Sequence, residues 1–179
     1  MARHYGVGVT EPPTALAVRP AMPGDVPAIR DLVQPYAAER ILLAKELVGY
    51  FEAVQEFFVA ADDTGVVIGC GALHVMWSDL GEVRTLAVHP DRRRRGVGHA
   101  LLTALLERAR ELGLRRVFCL TFEVDFFSHH GFRTIDGTPV DPDVFAELLR
   151  SHDDGVAEFL ELAHVKPNTL GNTRMLLEL

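Results

Sequence analysis

The sequence predicts a mixed α/β domain of the α+β kind, in which a largely antiparallel sheet is flanked by helices. Three observations predict it. Apolar, strand-like segments separated by short polar turns run from Phe57 to Val88, the pattern of an antiparallel meander. After His89 and Pro90 the apolar period lengthens to that of a helix, through Val97, Leu101, Ala104, Leu105 and Leu112. From Arg116 onward, short strand-like and helix-like segments alternate.

Taken in order, residues 1–13 read as a flexible tail and 14–179 as one domain. Ala15 to Arg19 is a first short strand, punctuated by Pro20 to Gly24. Asp25 to Tyr36 places Val26, Ile29, Leu32 and Val33 at helical spacing, with Asp25 suited to the N-cap and Pro27 in the first turn. A second helix is expected from Lys45 to Val54, burying Leu47, Val48, Phe51 and Val54. Phe57–Ala61, Val66–Trp77 and Glu82–Val88 are the strands of the meander, turning at Asp62–Gly65 and Ser78–Gly81. The long helix that follows stops at Gly113. Arg116–Thr121 is a buried-type strand, Phe122–His130 a short helix and Phe132–Ile135 a strand. Asp141 opens a helix through Val144, Leu148 and Leu149, and Thr173–Leu177 is the last strand.

A chain of 179 residues, 48% hydrophobic and 24% charged, suits one soluble domain with one continuous core. Its net charge of -7 argues against a partner such as nucleic acid or an anionic membrane. No apolar run reaches bilayer-spanning length and no secretion signal is visible, so the expected location is the cytoplasm. Cys70 and Cys119 lie in apolar strands and read as buried free thiols. No metal is expected, because His129 and His130 are adjacent and do not face one direction on a helix.

The strongest chemical signal is the stretch Leu86-Ala87-Val88-His89-Pro90-Asp91-Arg92-Arg93-Arg94-Arg95-Gly96-Val97-Gly98-His99-Ala100. A strand runs into a basic, glycine-containing turn that opens directly into an amphipathic helix. The first N–H groups of a helix lack internal partners and sit at the positive end of its dipole. Gly96 and Gly98 leave the approach clear, and the arginines add charge-assisted donors, so the turn can cradle a phosphate or pyrophosphate. Neither a P-loop nor a dinucleotide fingerprint is present. A glycine pair on its own would equally suit a plain strand–helix corner.

Arg93-Arg94-Arg95-Gly96-Val97-Gly98 resembles the Arg/Gln-x-x-Gly-x-Gly/Ala pyrophosphate loop of the GNAT acetyltransferase superfamily. Phe126-Phe127-Ser128-His129-His130-Gly131-Phe132 is similar to that family's Phe-Tyr-x-x-x-Gly-Phe segment, at a fitting distance along the chain. The resemblance runs from about Leu16 to Leu179. It implies a splayed sheet and acetyl-CoA as co-substrate, with the pantetheine arm between the strand ending at Val88 and the strand Arg116–Thr121. It also implies that a backbone N–H near Val88 polarises the thioester carbonyl.

Acetyl transfer to an amine needs a base, and Glu82 is the candidate, since GNAT bases often sit on the strand leading to the cradle. A strand-end surface glutamate is the competing reading. The family's frequent tyrosine acid corresponds to Phe127, which has no proton to give.

A narrower resemblance concerns the acceptor. Ile41–Leu47, Gly69–His74, Gly81–Arg84, Leu120-Thr121 and Asn172–Leu177 resemble the amino-acid N-acetyltransferases, the N-acetylglutamate synthases, in their short single-domain actinobacterial form. That implies L-glutamate or L-glutamine as acceptor and the first step of arginine biosynthesis, with a homodimer common in the superfamily. Cations and hydrogen-bond donors for a dicarboxylic amino acid are then sought at Lys45, His74, Arg84, Thr121, Thr173 and Arg174. Each of these alone also reads as an ordinary polar or charged residue. Two rival readings stay open: a GNAT enzyme for another small amine or a protein N-terminus, and a non-catalytic acetyl-CoA-binding module.

Overall fold

A computed structural model describes residues 16–43, 45–165 and 170–179. The expected flexible tail at residues 1–13 lies outside the described residues. Among the described residues seven strands form one sheet, β1 (Ala17–Pro20), β2 (Phe57–Ala61), β3 (Val67–Val75), β4 (Leu80–Val88), β5 (Arg116–Thr121), β6 (Arg133–Thr134) and β7 (Thr173–Glu178). Their order is β1-β2-β3-β4-β5-β7-β6, and every neighbouring pair is antiparallel except β4 with β5.

Helices α1 (Val26–Ala38) and α2 (Leu47–Glu52) cover one face near β2 and β3, where Val26, Ile29, Val33 and Tyr50 pack on Phe57, Val59, Cys70 and Ala72. Helices α5 (Pro142–Leu148) and α6 (Asp154–Phe159) lie over β5, with Leu148, Val156 and Phe159 on Leu80 and Phe118. The other face carries α3 (Val97–Glu111) and α4 (Val124–His129), with Leu102, Leu105, Phe127 and Phe132 against Val83, Val117 and Cys119. The sheet is thus a partition between two apolar layers. Burying residues of this size contributes about 1.5–3 kcal/mol each.

Most elements fall where the apolar spacing puts them, with four differences. α2 is shorter than the expected Lys45–Val54, and its core residue is Tyr50, while Leu47, Val48 and Phe51 are exposed. Six residues are too few for helical period to fix a face. Asp25 does not cap α1; its carboxylate accepts from Met22 N–H at 2.8 Å and pairs with Arg19 at 2.7 Å. β4 begins at Leu80, because Met76 and Trp77 N–H both donate to the Leu80 carbonyl and tighten the turn. α6 has no counterpart in the sequence reading.

One irregularity matters for the site. Opposite β3, Ala72 pairs with Arg84 but Cys70 pairs with Ala87, so β4 holds one residue more than its partner. The extra residue is a β-bulge at Thr85, whose φ of 57° is rare for a β-branched side chain. Before it, Glu82 and Arg84 face α6. After it the alternation is reversed, with Ala87 in the α1 layer while Leu86 and Val88 pack beside α3.

Candidate active site

β4 and β5 pair only at Leu80–Arg116, Gly81–Val117 and Glu82–Phe118. Beyond Glu82 the two strands part, leaving Val83–Val88 and Cys119–Thr121 without mutual pairing. Two parallel strands that separate within a sheet make a cleft whose walls are backbone. At its end, β4 passes into the basic turn.

That turn is shaped by local geometry. Pro90–Arg92 forms one 3₁₀ turn, started by His89, whose Nδ1 accepts from Asp91 N–H at 3.3 Å. Arg94 and Gly96 then adopt φ of 61° and 81°. The glycine does so without strain, and its left-handed conformation aims the chain into α3. The first helical hydrogen bond is Ala100 N–H to the Gly96 carbonyl at 3.0 Å. The amides of Val97, Gly98 and His99 precede it and point out of the helix end. Arg94 and Arg95 are exposed and pair with nothing among the described residues. Arg93 is held differently: its Nε donates to Tyr36 Oη at 3.2 Å and its guanidinium covers the Tyr36 ring at 5.1 Å. Tyr36 Oη in turn donates to the Val88 carbonyl at 2.5 Å. Tyr36 therefore ties α1 to the strand end and the turn together, a role that its helical spacing does not betray. His99 Nδ1 lies 2.7 Å from His130 Nε2, with Phe126 beside both rings. Burial, followed by the neighbouring His99 and His129, lowers the His130 pKa. His129 turns instead to the Asp125 carbonyl.

At the fork of the sheet sits Glu82, only 3% exposed. Its Oε2 lies 3.3 Å from Arg84 Nε, an ion pair without hydrogen-bond alignment, so that oxygen accepts no hydrogen bond among the described residues. Burial raises the Glu82 pKa above its ordinary value; Arg84, His74 and Lys45 oppose the rise, and Asp153 adds to it. A carboxylate made more basic by burial can take a proton from an ammonium.

The structure gathers three of the sequence-predicted acceptor residues around Glu82. Arg84 shares its face. His74 pairs with Glu82 across the ladder and binds Glu56, Nδ1 to Oε1 at 2.7 Å. Lys45 stands half-buried, close enough for its charge to act on Glu82. The other three lie along β5 and β7. Thr121 and Thr173 are register partners, with Thr121 Oγ1 accepting from Glu123 N–H at 2.9 Å. The Arg174 guanidinium donates to the carbonyls of Glu158, Phe159 and Gly137 at 3.0, 2.7 and 3.1 Å and stacks on Phe118 and Phe159. It ties β7 to α6, which leaves its Nε without a hydrogen bond.

Asp153 and Glu158 escaped sequence reading. Arg84 Nη1 donates to Asp153 Oδ2 at 2.9 Å. Glu158 is 6% exposed and borders a cavity of about 150 Å³ with Leu120, Glu161, Asn172 and Arg174. Burial first, then the charges of Glu82 and Asp154, push the Glu158 carboxyl up to about 7. Phe127, at the position of the family's tyrosine, is buried edge-on against Phe126 and Phe132. Cys70 and Cys119 are buried and unpaired, and burial raises both thiols, Cys70 to about 12.

A sheet that opens beside a helix N-terminus, with a buried carboxylate at the fork, is a frame for acyl transfer from a phosphate-bearing donor. The chain belongs to the acetyltransferase (GNAT) family, which residues 26–132 match. Over 164 residues it is 60% identical to an amino-acid acetyltransferase of Mycobacterium tuberculosis, covering 90% of this chain and 94% of that protein. The crystal structure of Rv2747 from Mycobacterium tuberculosis in complex with CoA and NLQ superposes with a TM-score of 0.89 at 60% identity, covering 91% of this chain and 99% of that one. N-acetylglutamate synthase from Neisseria gonorrhoeae, complexed with coenzyme A and N-acetyl-glutamate, gives a TM-score of 0.73 at 25% identity, covering 92% of this chain and 35% of that one. Among the described residues no helix is long and apolar enough to cross a membrane.

Proposed function

We propose that this protein is an amino-acid N-acetyltransferase that acetylates the α-amino group of L-glutamate or L-glutamine, the first step of arginine biosynthesis in the cytoplasm. The observation that carries the chemistry is Glu82, a buried carboxylate with an oxygen free of hydrogen bonds at the fork between β4 and β5. The acceptor reading draws on the Mycobacterium tuberculosis relative, an amino-acid acetyltransferase, and on the Neisseria gonorrhoeae relative, an N-acetylglutamate synthase. Acetyl-CoA, when bound, supplies the acetyl group as a thioester. The amides of Val97, Gly98 and His99 and the free cations of Arg94 and Arg95 suit its pyrophosphate, with Gly96 keeping the approach open. Leu86, Ala87, Val88 and Ala100 line the strand and helix ends on either side of this turn.

Glu82 accepts the ammonium proton and so exposes the nitrogen lone pair. Burial makes the carboxylate more basic, and Arg84 opposes part of that rise. The Nη2 of Arg84, which has no hydrogen-bond partner among the described residues, and Lys45, whose charge also acts on Glu82, suit an acceptor carboxylate. His74, braced by Glu56, closes the same face from β3. Phe127 holds no transferable proton, so no side chain at that position takes part in proton return to the leaving sulfur.

The test is a thiol-release assay with acetyl-CoA and each of the twenty amino acids. Turnover confined to glutamate and glutamine is expected. Full rates on other amines with none on these two would end the acceptor reading, and nucleotide binding without any turnover would make the protein a binding module.

A further inference from the structure

We propose that Asp153 is a positioning residue for the transfer reaction, acting through the Arg84 guanidinium to fix the orientation of the Glu82 carboxylate. The inference rests on Glu82 being the base.

One planar fork spans two carboxylates here. Arg84 Nη1 donates to Asp153 Oδ2 at 2.9 Å, and Arg84 Nε lies 3.3 Å from Glu82 Oε2. A guanidinium has few rotamers once one arm is fixed, so the Asp153 bond determines where its other edge meets Glu82. The second oxygen of Asp153 has a separate task. Oδ1 accepts from Val156 N–H at 3.0 Å and caps α6. The same carboxylate thus seats the helix and aims the arginine.

The seating is close. A Cβ on Gly155 would lie 2.6 Å from Glu82 Oε2 and 3.1 Å from Asp153 Oδ1, so only glycine lets α6 rest on the base. A helix of six residues does not hold itself in water. It is clamped at its start by Asp153 and at its end by Arg174, which donates to the carbonyls of Glu158 and Phe159.

Charge reaches Glu82 from Arg84 on β4, Asp153 at the N-cap of α6, His74 on β3 and Lys45 ahead of α2, and Glu82 in turn acts on Cys119 of β5 and Glu158 of α6. Asp153 is an anion in this set beside a single guanidinium. It makes Glu82 a stronger base while holding Arg84 in place.

Asp153→Ser separates the two tasks, since serine still caps a helix but cannot reach the arginine as a carboxylate does. Asp153→Asn is the second variant, keeping size and a capping oxygen without the charge. Glu82 can be followed by carboxyl ¹³C NMR, its resonance assigned by its loss in Glu82→Gln. In both variants the Glu82 titration is expected to fall by about one pH unit, the loss of one anion at short range in a partly screened site. The acidic limb of the kcat/KM profile should move with it, and kcat should fall about tenfold from the misaimed base, with KM for acetyl-CoA unchanged. A Glu82 titration unmoved in both variants, or Asp153→Ser turning over like the parent, would overturn the proposal. The NMR titration needs no turnover, so a parent protein inactive on every amino acid would end the acceptor reading and still leave the role of Asp153 to be decided.

Discussion

Replacing Glu158 by Gln should stabilise the protein in a pH-dependent way. Glu158 is 6% exposed, and no described partner forms a hydrogen bond or ion pair with its side chain. Burial first, then Glu82 and Asp154, raise its carboxyl from 4.5 to about 7. At 1.36 kcal/mol per pH unit, that rise is worth about 3 kcal/mol. The direction follows from where the proton sits. Below pH 4.5 the group is neutral in both folded and unfolded chains and costs nothing. Between 4.5 and 7 the unfolded chain ionises first, so the folded state loses stability as pH rises. Above 7 the whole cost is present. Glutamine stays neutral throughout, so the difference between variant and parent should grow across that window and level off above it. For a domain of this size, each kcal/mol moves Tm by roughly 2–4 °C. The variant should therefore melt about 6–12 °C higher at pH 8 and close to the parent at pH 4, by calorimetry or near-UV dichroism. A difference that does not change between pH 4 and pH 8 would refute the reasoning, because it would place the cost elsewhere than in ionising Glu158.

Glu82→Gln should lower kcat by about 10²–10⁴-fold, the usual worth of a general base, with acetyl-CoA affinity within a few-fold of the parent; an unchanged rate in the thiol-release assay would remove Glu82 as base. Gly96→Trp should abolish acetyl-CoA binding in calorimetry, since its φ of 81° and the open approach to the Val97 and Gly98 amides both require glycine. Phe127→Tyr should not raise kcat and should cost about 1–3 kcal/mol in denaturant unfolding, because the new hydroxyl enters the apolar layer between Phe126 and Phe132. A rate gain in that variant would show that the side chain reaches the leaving sulfur after all.

Much of this frame was legible in the sequence because it is local. The meander declared itself through alternation and short turns, α3 through its period, and the cradle through glycines and arginines at the junction. Glu82 and Arg84 were placed on one face by the alternation of a strand. What stayed hidden depends on distant contacts. Tyr36 looks like any partly buried helical residue until its hydroxyl meets the Val88 carbonyl, 52 positions away. Asp153 and Glu158 cap and lie on a helix too short to show a period, held by its packing on the sheet and by Arg84 and Arg174. Arg174 reads as a surface charge in sequence, yet three backbone carbonyls occupy its donors. Phe127 was readable as core, since an apolar aromatic at that position has nothing to offer but packing.

The bulge at Thr85 lets one strand carry both Glu82 and the approach to the basic turn. A regular strand sends alternate residues to fixed faces, so Glu82, Arg84, Leu86 and Val88 would all point to the face covered by α1 and α6. A bulky residue pair would then stand on the same face as Glu82 and Arg84. The extra residue reverses the alternation, so Leu86 and Val88 pack beside α3 while Glu82 and Arg84 keep the α6 face. Holding a threonine at φ of 57° costs on the order of 1–3 kcal/mol, which nearby contacts must offset. Gly71 on β3 supplies part of the fit: a Cβ there would meet Leu86 Cδ1 at 2.9 Å and Leu105 Cδ1 at 3.0 Å. The strained threonine and the opposing glycine thus belong to one device. It divides β4 into a stretch that presents Glu82 and a stretch that leads into the basic turn. The residues that make the division lie between Glu82 and Val88, and neither period nor charge in the sequence distinguishes them from an ordinary strand.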